Sequence, residues 1–186
     1  VQPEFQDMGI NFSNPGTKQH VGQVEIQIKL IKNTIRSIYN LLLARGLNLP
    51  LRLFPFLVAY ANSRRNFLVN RQINENLSPY EMFYGRRVNT KRDLRHKFGD
   101  VVLFPTYLEP KNSLAPRMKV GLVIGVTPNL QSSLQIFDIE TGTTCSRDHV
   151  EEHELTHNII ARMLEWTRKD AQTRKLRRLD PLLDFK

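Results

Sequence analysis

Cysteine is nearly absent from this sequence, since Cys145 is the only one among 186 residues. A lone cysteine excludes an internal disulfide framework and a cysteine-rich zinc site. The sequence also has no apolar run near the roughly 20 residues that a membrane-spanning helix needs, and no signal-peptide layout. We therefore expect an intracellular protein, nuclear or cytoplasmic, with no membrane partner.

Common catalytic motifs are missing as well. The sequence has no GxSxG elbow, no P-loop and no Rossmann glycine set, and Cys145 has only the neighbouring His149 as a potential partner. His149, His153 and His157 are spaced like ligands on one helix face. Zinc needs four well-placed ligands, however, so the sequence favours exposed histidines over a metal site.

Acidic residues are scarce relative to basic ones, with 18 against 27 and a net charge of +9. The excess lies in residues 25–95, which carry thirteen bases and four acids. The hydrophobic content of 40% is ordinary for a globular protein. A basic, compact region indicates a polyanionic partner, nucleic acid before membrane, and the alternative is a merely soluble basic surface.

The most regular stretch runs from Gly22 to Leu43. Apolar residues recur there at alternating steps of three and four, which predicts one buried stripe of a helix: Val21, Val24, Ile28, Ile31, Ile35, Ile38 and Leu42. A second stripe faces water and consists of Glu25, Lys29, Lys32 and Arg36. Such a stripe is either a solvated face, with a Glu–Lys pair stabilising the helix by about 0.2–0.5 kcal/mol, or a binding surface for a polyanion.

Further helices and strands follow in order. The long helix is predicted to end at Gly46, and Pro50 to start a second helical run from Leu51 to about Arg65. The segment from Ser78 to Gly85 has the signals of a short capped helix. After residue 97 the pattern changes to short β-branched runs separated by turns, which predicts a small SH3-like barrel. Residues 151–179 are predicted to form a helix with Leu155, Ile159, Met163 and Trp166 on its buried face, followed by a basic tail.

The segment from Gly16 to Arg36 resembles the third catalytic block of DDE-class retroelement integrases, especially the Copia-like ones. In that family a glycine lies three residues ahead of the catalytic glutamate, which matches Gly22 and Glu25. Basic residues four and seven positions beyond the glutamate contact DNA in several members, which matches Lys29 and Lys32. The family's usual Arg after the glutamate is Ile26 here, and its proline–glutamine–asparagine run is replaced, so this copy is divergent.

Later motifs follow the order that the same family has. Gly9-Ile10 resembles the strand before the catalytic loop, and Pro79-Tyr80-Glu81 resembles the helix that closes the core. In the strand-rich part, the matching segments are Gly121 to Gly125, Phe137 to Gly142 and Ser146 to Val150. The resemblance extends over most of residues 5–150, and the order of these motifs is more specific than any one of them.

The resemblance implies an α+β chain in three parts. Residues 1–92 are expected to be the C-terminal helical half of a ribonuclease-H-like integrase core, 93–150 an SH3-like barrel, and 151–186 a C-terminal helix with a basic tail. It implies a role in DNA integration in the full-length parent, with Mg²⁺ or Mn²⁺ as cofactor, Glu25 as catalytic residue and metal ligand, and self-association as in integrases. Lys29 and Lys32 are the DNA-binding residues that the resemblance implies, and the basic charge of the sequence adds Lys18, Arg36, Arg64 and Arg65 as candidates.

Two metal ions in such a site need about three acidic side chains around them, and the family supplies two aspartates besides the glutamate. Both would precede Val1, so the chain, which opens without Met, is expected to be a piece or an incomplete copy. Glu25 alone would hold Mg²⁺ weakly. We therefore expect nucleic-acid binding without cleavage or joining by this chain alone. A non-enzymatic protein-interaction module derived from a transposable element, and an inert relic, are the alternatives.

Overall fold

In the computed structural model of this chain, residues 22–69, 74–106, 117–127 and 133–177 are described. The helices are α1 (Gly22–Ala44), a 3-10 helix (Leu51–Leu53), α2 (Phe54–Asn66), α3 (Pro79–Tyr84), α4 (Thr90–Asp93) and α5 (His157–Arg177). The strands are β1 (Val101–Pro105), β2 (Met118–Val126), β3 (Leu134–Asp138), β4 (Thr144–Arg147) and β5 (Glu151–Glu152). The chain is thus α+β with an antiparallel five-stranded sheet, which confirms the predicted class at this level.

α1 ends where its sequence predicts, because Gly46 adopts a left-handed conformation with φ of +79°. The Leu47 N–H donates to the Leu42 carbonyl at 2.9 Å, and the Gly46 N–H donates to the Leu43 carbonyl at 2.9 Å. These two bonds form a Schellman motif, which satisfies the last carbonyls of the helix. The motif turns the chain toward the 3-10 helix with Leu42 and Leu47 both in the core.

Only the C-terminal half of the apolar stripe on α1 reaches the core. Leu42 is buried, and Ile35 and Ile38 pack against the main hydrophobic cluster. Val24 and Ile28 are 52% and 47% exposed, so the prediction that the whole stripe is buried is wrong for the first turns.

The neighbouring helix α2 gives the reason. α2 runs antiparallel to α1, since the rings of Tyr39 and Phe54 meet at one end of the pair, and Arg65 reaches the Gln27 carbonyl at the other. The last turn of α2, from Asn62 to Asn66, is polar and offers no apolar surface to the start of α1.

The second helical run and the short helix α3 form as predicted. Pro55 lies in the first turn of α2, where its missing N–H costs no helical hydrogen bond. Ser78 Oγ accepts from the Glu81 N–H at 3.2 Å, and the Glu81 carboxylate accepts from the Ser78 N–H at 2.8 Å, which is a capping box. A further backbone bond from Val88 helps hold the pKa of Glu81 below its ordinary value.

The sheet has the strand order β4-β3-β2-β1-β5, and every described neighbour pair is antiparallel. Gly121 leaves room for the side chains of Ile136 and Phe104 at the centre of the sheet, because a Cβ at this position would lie 2.3 Å from Ile136 and 2.8 Å from Phe104. Both faces of the central strands are buried, since adjacent residues such as Val101 and Val102 belong to different hydrophobic clusters.

The predicted helix from residue 151 begins six residues later. Glu151 and Glu152 form β5 instead, pairing with Leu103 and Val102 of β1, and α5 begins at His157. These residues pair with the free edge of β1, which lies about 50 positions earlier in the chain. Local periodicity does not reveal such a long-range pairing. His149, His153 and His157 consequently do not share one helix face.

One hydrophobic cluster receives side chains from all three predicted parts of the chain. Its members include Leu42 and Leu57 from the helical part, Val101, Ile124 and Phe137 from the sheet, and Ile159 and Met163 from α5. Ile159 and Met163 are therefore buried as predicted, whereas Trp166 and Leu155 are partly buried against the cluster, and Leu155 precedes α5. The division into three domains stays a prediction, and the shared cluster means that the parts pack against one another.

Within the described ranges, no helix has the length and apolar character that crossing a membrane would require.

Candidate nucleic-acid interface

The predicted water-facing stripe of α1 is helical and exposed along its whole length. Glu25, Lys29, Lys32 and Arg36 all have exposed side chains on this helix. From Lys29 to Arg36 the backbone advances seven residues, which is about 10 Å at 1.5 Å per residue. Arg36 Nη1 donates to Asn33 Oδ1 at 3.3 Å, a contact within its own helix. The three cations therefore form a short line on a rigid support, and we call them the α1 cationic stripe.

The stripe faces solvent because the core lies on another side of the same helix. Each residue turns the helix by about 100°, so Ile35, Ile38 and Leu42 point about 60° to 180° away from Lys29 and Lys32. The buried end of α1 fixes the helix in place. The exposed end presents the cations.

Glu25 lies in the first turn of α1 and heads the stripe. Its exposed carboxylate shares a helix face with Lys29 and Lys32, and the next acidic residue along the chain is Glu75. Among the described residues, no group of three or more acidic, histidine or cysteine side chains is arranged to hold a metal ion. The described residues therefore do not form a two-metal site, because hard divalent cations at such sites need several carboxylates.

Arg64 is half-buried and engaged inside the protein. Its guanidinium donates to the carbonyl of Asp93 at 3.2 Å and to the carbonyl of His96, and it lies 4.7 Å from the centre of the Tyr60 ring. These contacts tie α2 to the segment that leads into the sheet. Contact with DNA stays a prediction for Arg64, and the structure gives it a role in tertiary packing.

Arg65 contacts α1 on a different side from the stripe. Its Nη1 donates to the Gln27 carbonyl at 3.3 Å. Gln27 follows Glu25 by two residues, which turns it by about 200° around the helix. The structure therefore does not bring Arg65 together with Lys29 and Lys32, and its predicted contact with DNA stays a prediction.

Lys18, Gly9 and Ile10 lie outside the described residues, as do residues 178–186 of the basic tail. His149 and His153 are exposed in the structure. Their exposure agrees with the sequence interpretation of these residues.

The sequence analysis missed an aromatic surface around α3. Phe83 is 82% exposed, and Met82 and Tyr84 are about half exposed. Tyr80 lies behind them with its ring centre 4.7 Å from that of Tyr84. The signal was present, because three consecutive large apolar residues span about 200° of a helix and cannot all face one core.

A cleft of about 720 Å³ lies between the segment around α4 and one end of the sheet. Lys91, Arg95 and His149 line it together with Asp148 and Glu151, over apolar side chains such as Met118 and Leu134. Burial lowers the pKa of the lining residue His96, with a further contribution from the charge of Arg95. Because acids and bases are mixed here, the cleft favours neither sign of ligand charge.

Comparisons with protein-family models, with curated proteins and with solved structures found no match for this chain.

Proposed function

We propose that this chain binds nucleic acid through the α1 cationic stripe, with Lys29, Lys32 and Arg36 on neighbouring phosphates. The observation that carries the proposal is an exposed line of three cations on a helix whose other end is anchored in the core. The three residues span about 10 Å. Phosphates on one strand of a duplex advance by about 3.4 Å each, so the stripe matches about three of them.

The charge of the surrounding sequence supports the same partner. Thirteen bases and four acids in residues 25–95 create a positive field that attracts a polyanion before contact. Arg64 donates to two backbone carbonyls and Arg52 donates to Asp170, so the cations proposed to contact phosphates are those of α1.

We further propose that the chain is the C-terminal part of a Copia-like integrase. In this proposal α1, α2 and α3 belong to a ribonuclease-H-like core, and the sheet is an SH3-like barrel. Support comes from the order of the family-like motifs and from the strand order of the sheet. Strands β1 to β4 form a meander, and β5 then pairs with β1. The motif Phe137 to Gly142 forms a tight turn, in which Asp138 Oδ1 accepts from the Glu140 N–H at 2.8 Å.

The proposed activity of this chain stops at binding. In the family that it resembles, Mg²⁺ or Mn²⁺ supports strand transfer by activating a nucleophile and stabilising the leaving oxygen. Glu25 is the one family carboxylate with a counterpart here, and the described residues do not complete that donor set. We propose that integration chemistry belongs to a longer parent, in which self-association would also occur.

The test is a titration of fluorescent duplex DNA with the full chain at several salt concentrations. Three phosphate contacts predict a slope of about −2.7 in log K against log salt, or a ~40-fold loss of affinity between about 50 and 200 mM salt. The variant Lys29→Glu/Lys32→Glu should bind more weakly, with a slope about 2 units shallower.

The matched control is Lys97→Glu/Arg162→Glu, which changes the net charge by the same amount at exposed positions outside α1. Equal losses in both variants would reduce the effect to net charge and contradict the stripe. Binding that ignores salt would contradict the proposal altogether. Recovery of a stoichiometric protein partner, with no nucleic acid retained after nuclease treatment, would favour the protein-interaction module instead.

A further inference from the structure

The α3 region presents large aromatic side chains to solvent. Phe83 is 82% exposed, more than any other large hydrophobic side chain among the described residues. Its ring centre lies 4.9 Å from that of Tyr84 at an interplanar angle of 77°, so the two rings meet edge to face. We call Met82, Phe83 and Tyr84 the aromatic platform.

The platform rests on side chains that hold it in shape. The Tyr80 ring contacts the Tyr84 ring at an angle of 42°, and Phe67 at the end of α2 lies 4.8 Å from Tyr80 between ring centres. The Arg86 guanidinium donates to the Tyr80 hydroxyl and lies 5.3 Å from the centre of its ring. The capping box at Ser78 fixes the start of the helix, and Gly85 closes its end with φ of +65°. Little ordering is therefore left for a ligand to impose on these rings.

The charge beside the platform is positive. Arg86 and Arg87 follow it after Gly85, and Arg87 is exposed. The acidic residue of α3, Glu81, directs its carboxylate to the backbone N–H groups of Ser78 and Val88. An aromatic surface flanked by arginines suits a ligand that has flat faces and negative charge.

We propose that the platform binds a single-stranded polynucleotide, with one base stacked on Phe83 and an adjacent phosphate near Arg87. Stacking on aromatic side chains beside cations is how proteins hold single strands without reading their sequence. In a duplex the base faces are already covered by neighbouring bases, so the platform discriminates against it. A protein partner would not require the exposed Arg87, whereas a polynucleotide uses both the rings and this cation.

This inference goes beyond the α1 cationic stripe, since the stripe contacts phosphates and is insensitive to whether bases are paired. It shares with the proposed function only the class of ligand. The two surfaces can therefore fail separately.

The experiment measures anisotropy of labelled twelve-nucleotide thymidine and uridine oligomers, and of a duplex of equal length, titrated with the full chain. Phe83→Ala should weaken single-strand binding by about 5- to 150-fold, the range for loss of one stacked base, and leave duplex binding unchanged. Phe83→Trp should keep the single-strand affinity. Comparison of the thymidine and uridine oligomers shows whether DNA or RNA is preferred.

Leu68→Ala is the matched control, because Leu68 is also an exposed apolar residue, at 63%. Because Phe83 is so exposed, its replacement should leave the melting temperature unchanged. A single-strand affinity unchanged by Phe83→Ala would overturn the inference, as would an equal loss for duplex, or no single-strand binding by the unaltered chain. Loss of duplex binding in Lys29→Glu/Lys32→Glu alone, with the Phe83 effect intact, would support both surfaces independently.

Discussion

Arg52 and Asp170 join the 3-10 helix after α1 to the C-terminal helix α5, although 118 positions separate them in sequence. Arg52 Nε donates to Asp170 Oδ1 at 2.8 Å, and the Arg52 backbone N–H donates to Oδ2 at 3.0 Å. The guanidinium also lies 4.6 Å from the centre of the Trp166 ring. The Asp170 side chain is 8% exposed, so these bonds replace most of its contact with water.

Replacing Asp170 should therefore destabilise the protein. Asp170→Asn removes the charge and part of the hydrogen bonding, and we expect a loss of about 1–3 kcal/mol in the free energy of unfolding, measured with urea. The control is Glu165→Gln, because Glu165 accepts from Arg162 at 2.8 Å on the surface. An exposed pair of this kind contributes only about 0–1 kcal/mol. Equal losses in the two variants would show that Asp170 does not anchor α5.

Gly142→Ala should also destabilise the chain, because two penalties coincide there. Its φ is +74°, which costs other residues about 1–2 kcal/mol, and a Cβ would lie 2.5 Å from the Trp166 ring. Overpacking of that kind adds about 1–3 kcal/mol. Gly46→Ala is the comparison, since Gly46 has φ of +79° but its Cβ would make an ordinary 3.5 Å contact with Ile160. Thermal unfolding of both variants should rank Gly142→Ala as the less stable.

Because only part of the apolar stripe of α1 is buried, two similar truncations should differ greatly in their effect on stability. Leu42→Ala removes a core side chain and should cost about 2–5 kcal/mol. Ile28→Ala removes a side chain that is about half exposed and should change the free energy of unfolding by no more than about 0.5 kcal/mol. A large loss for Ile28→Ala in chemical denaturation would mean that the first turns of α1 are packed in solution.

Stability should fall as the pH is lowered through the titration of His96. Burial, and then the charge of Arg95, lower its pKa below 6.5, while the weaker influence of Glu152 and Asp100 acts in the opposite direction. The unfolded chain therefore takes up the proton first, so this contribution is complete above about pH 6.5 and is lost as the pH falls through the folded-state value. His96→Gln should flatten the stability profile below about pH 6.5, measured by urea unfolding. An unchanged slope would assign the effect to other groups.

Local signals in the sequence accounted for most of the helices and strands. The Schellman ending at Gly46, the capping box of Ser78 and Glu81, and the buried strand around Ile124 depend on residues close together in the chain, so they could be predicted. The exposure of Lys29, Lys32 and Arg36 followed from helical periodicity in the same way. The binding role of these residues rests on a resemblance and stays a prediction.

Tertiary contacts decided which residues are buried, and helical periodicity alone does not specify this. The apolar stripe of α1 specifies which side turns inward, but the polar end of α2 leaves Val24 and Ile28 exposed. The basic segment at the end of α2 predicts DNA contact for Arg64, whereas the carbonyls of Asp93 and His96 occupy its guanidinium. By itself the sequence determined most of the elements and their caps, because those depend on neighbours in the chain. Which faces are covered, and which arginines and aromatics remain at the surface, depended on partners far away in sequence, and only the packed structure brings those together.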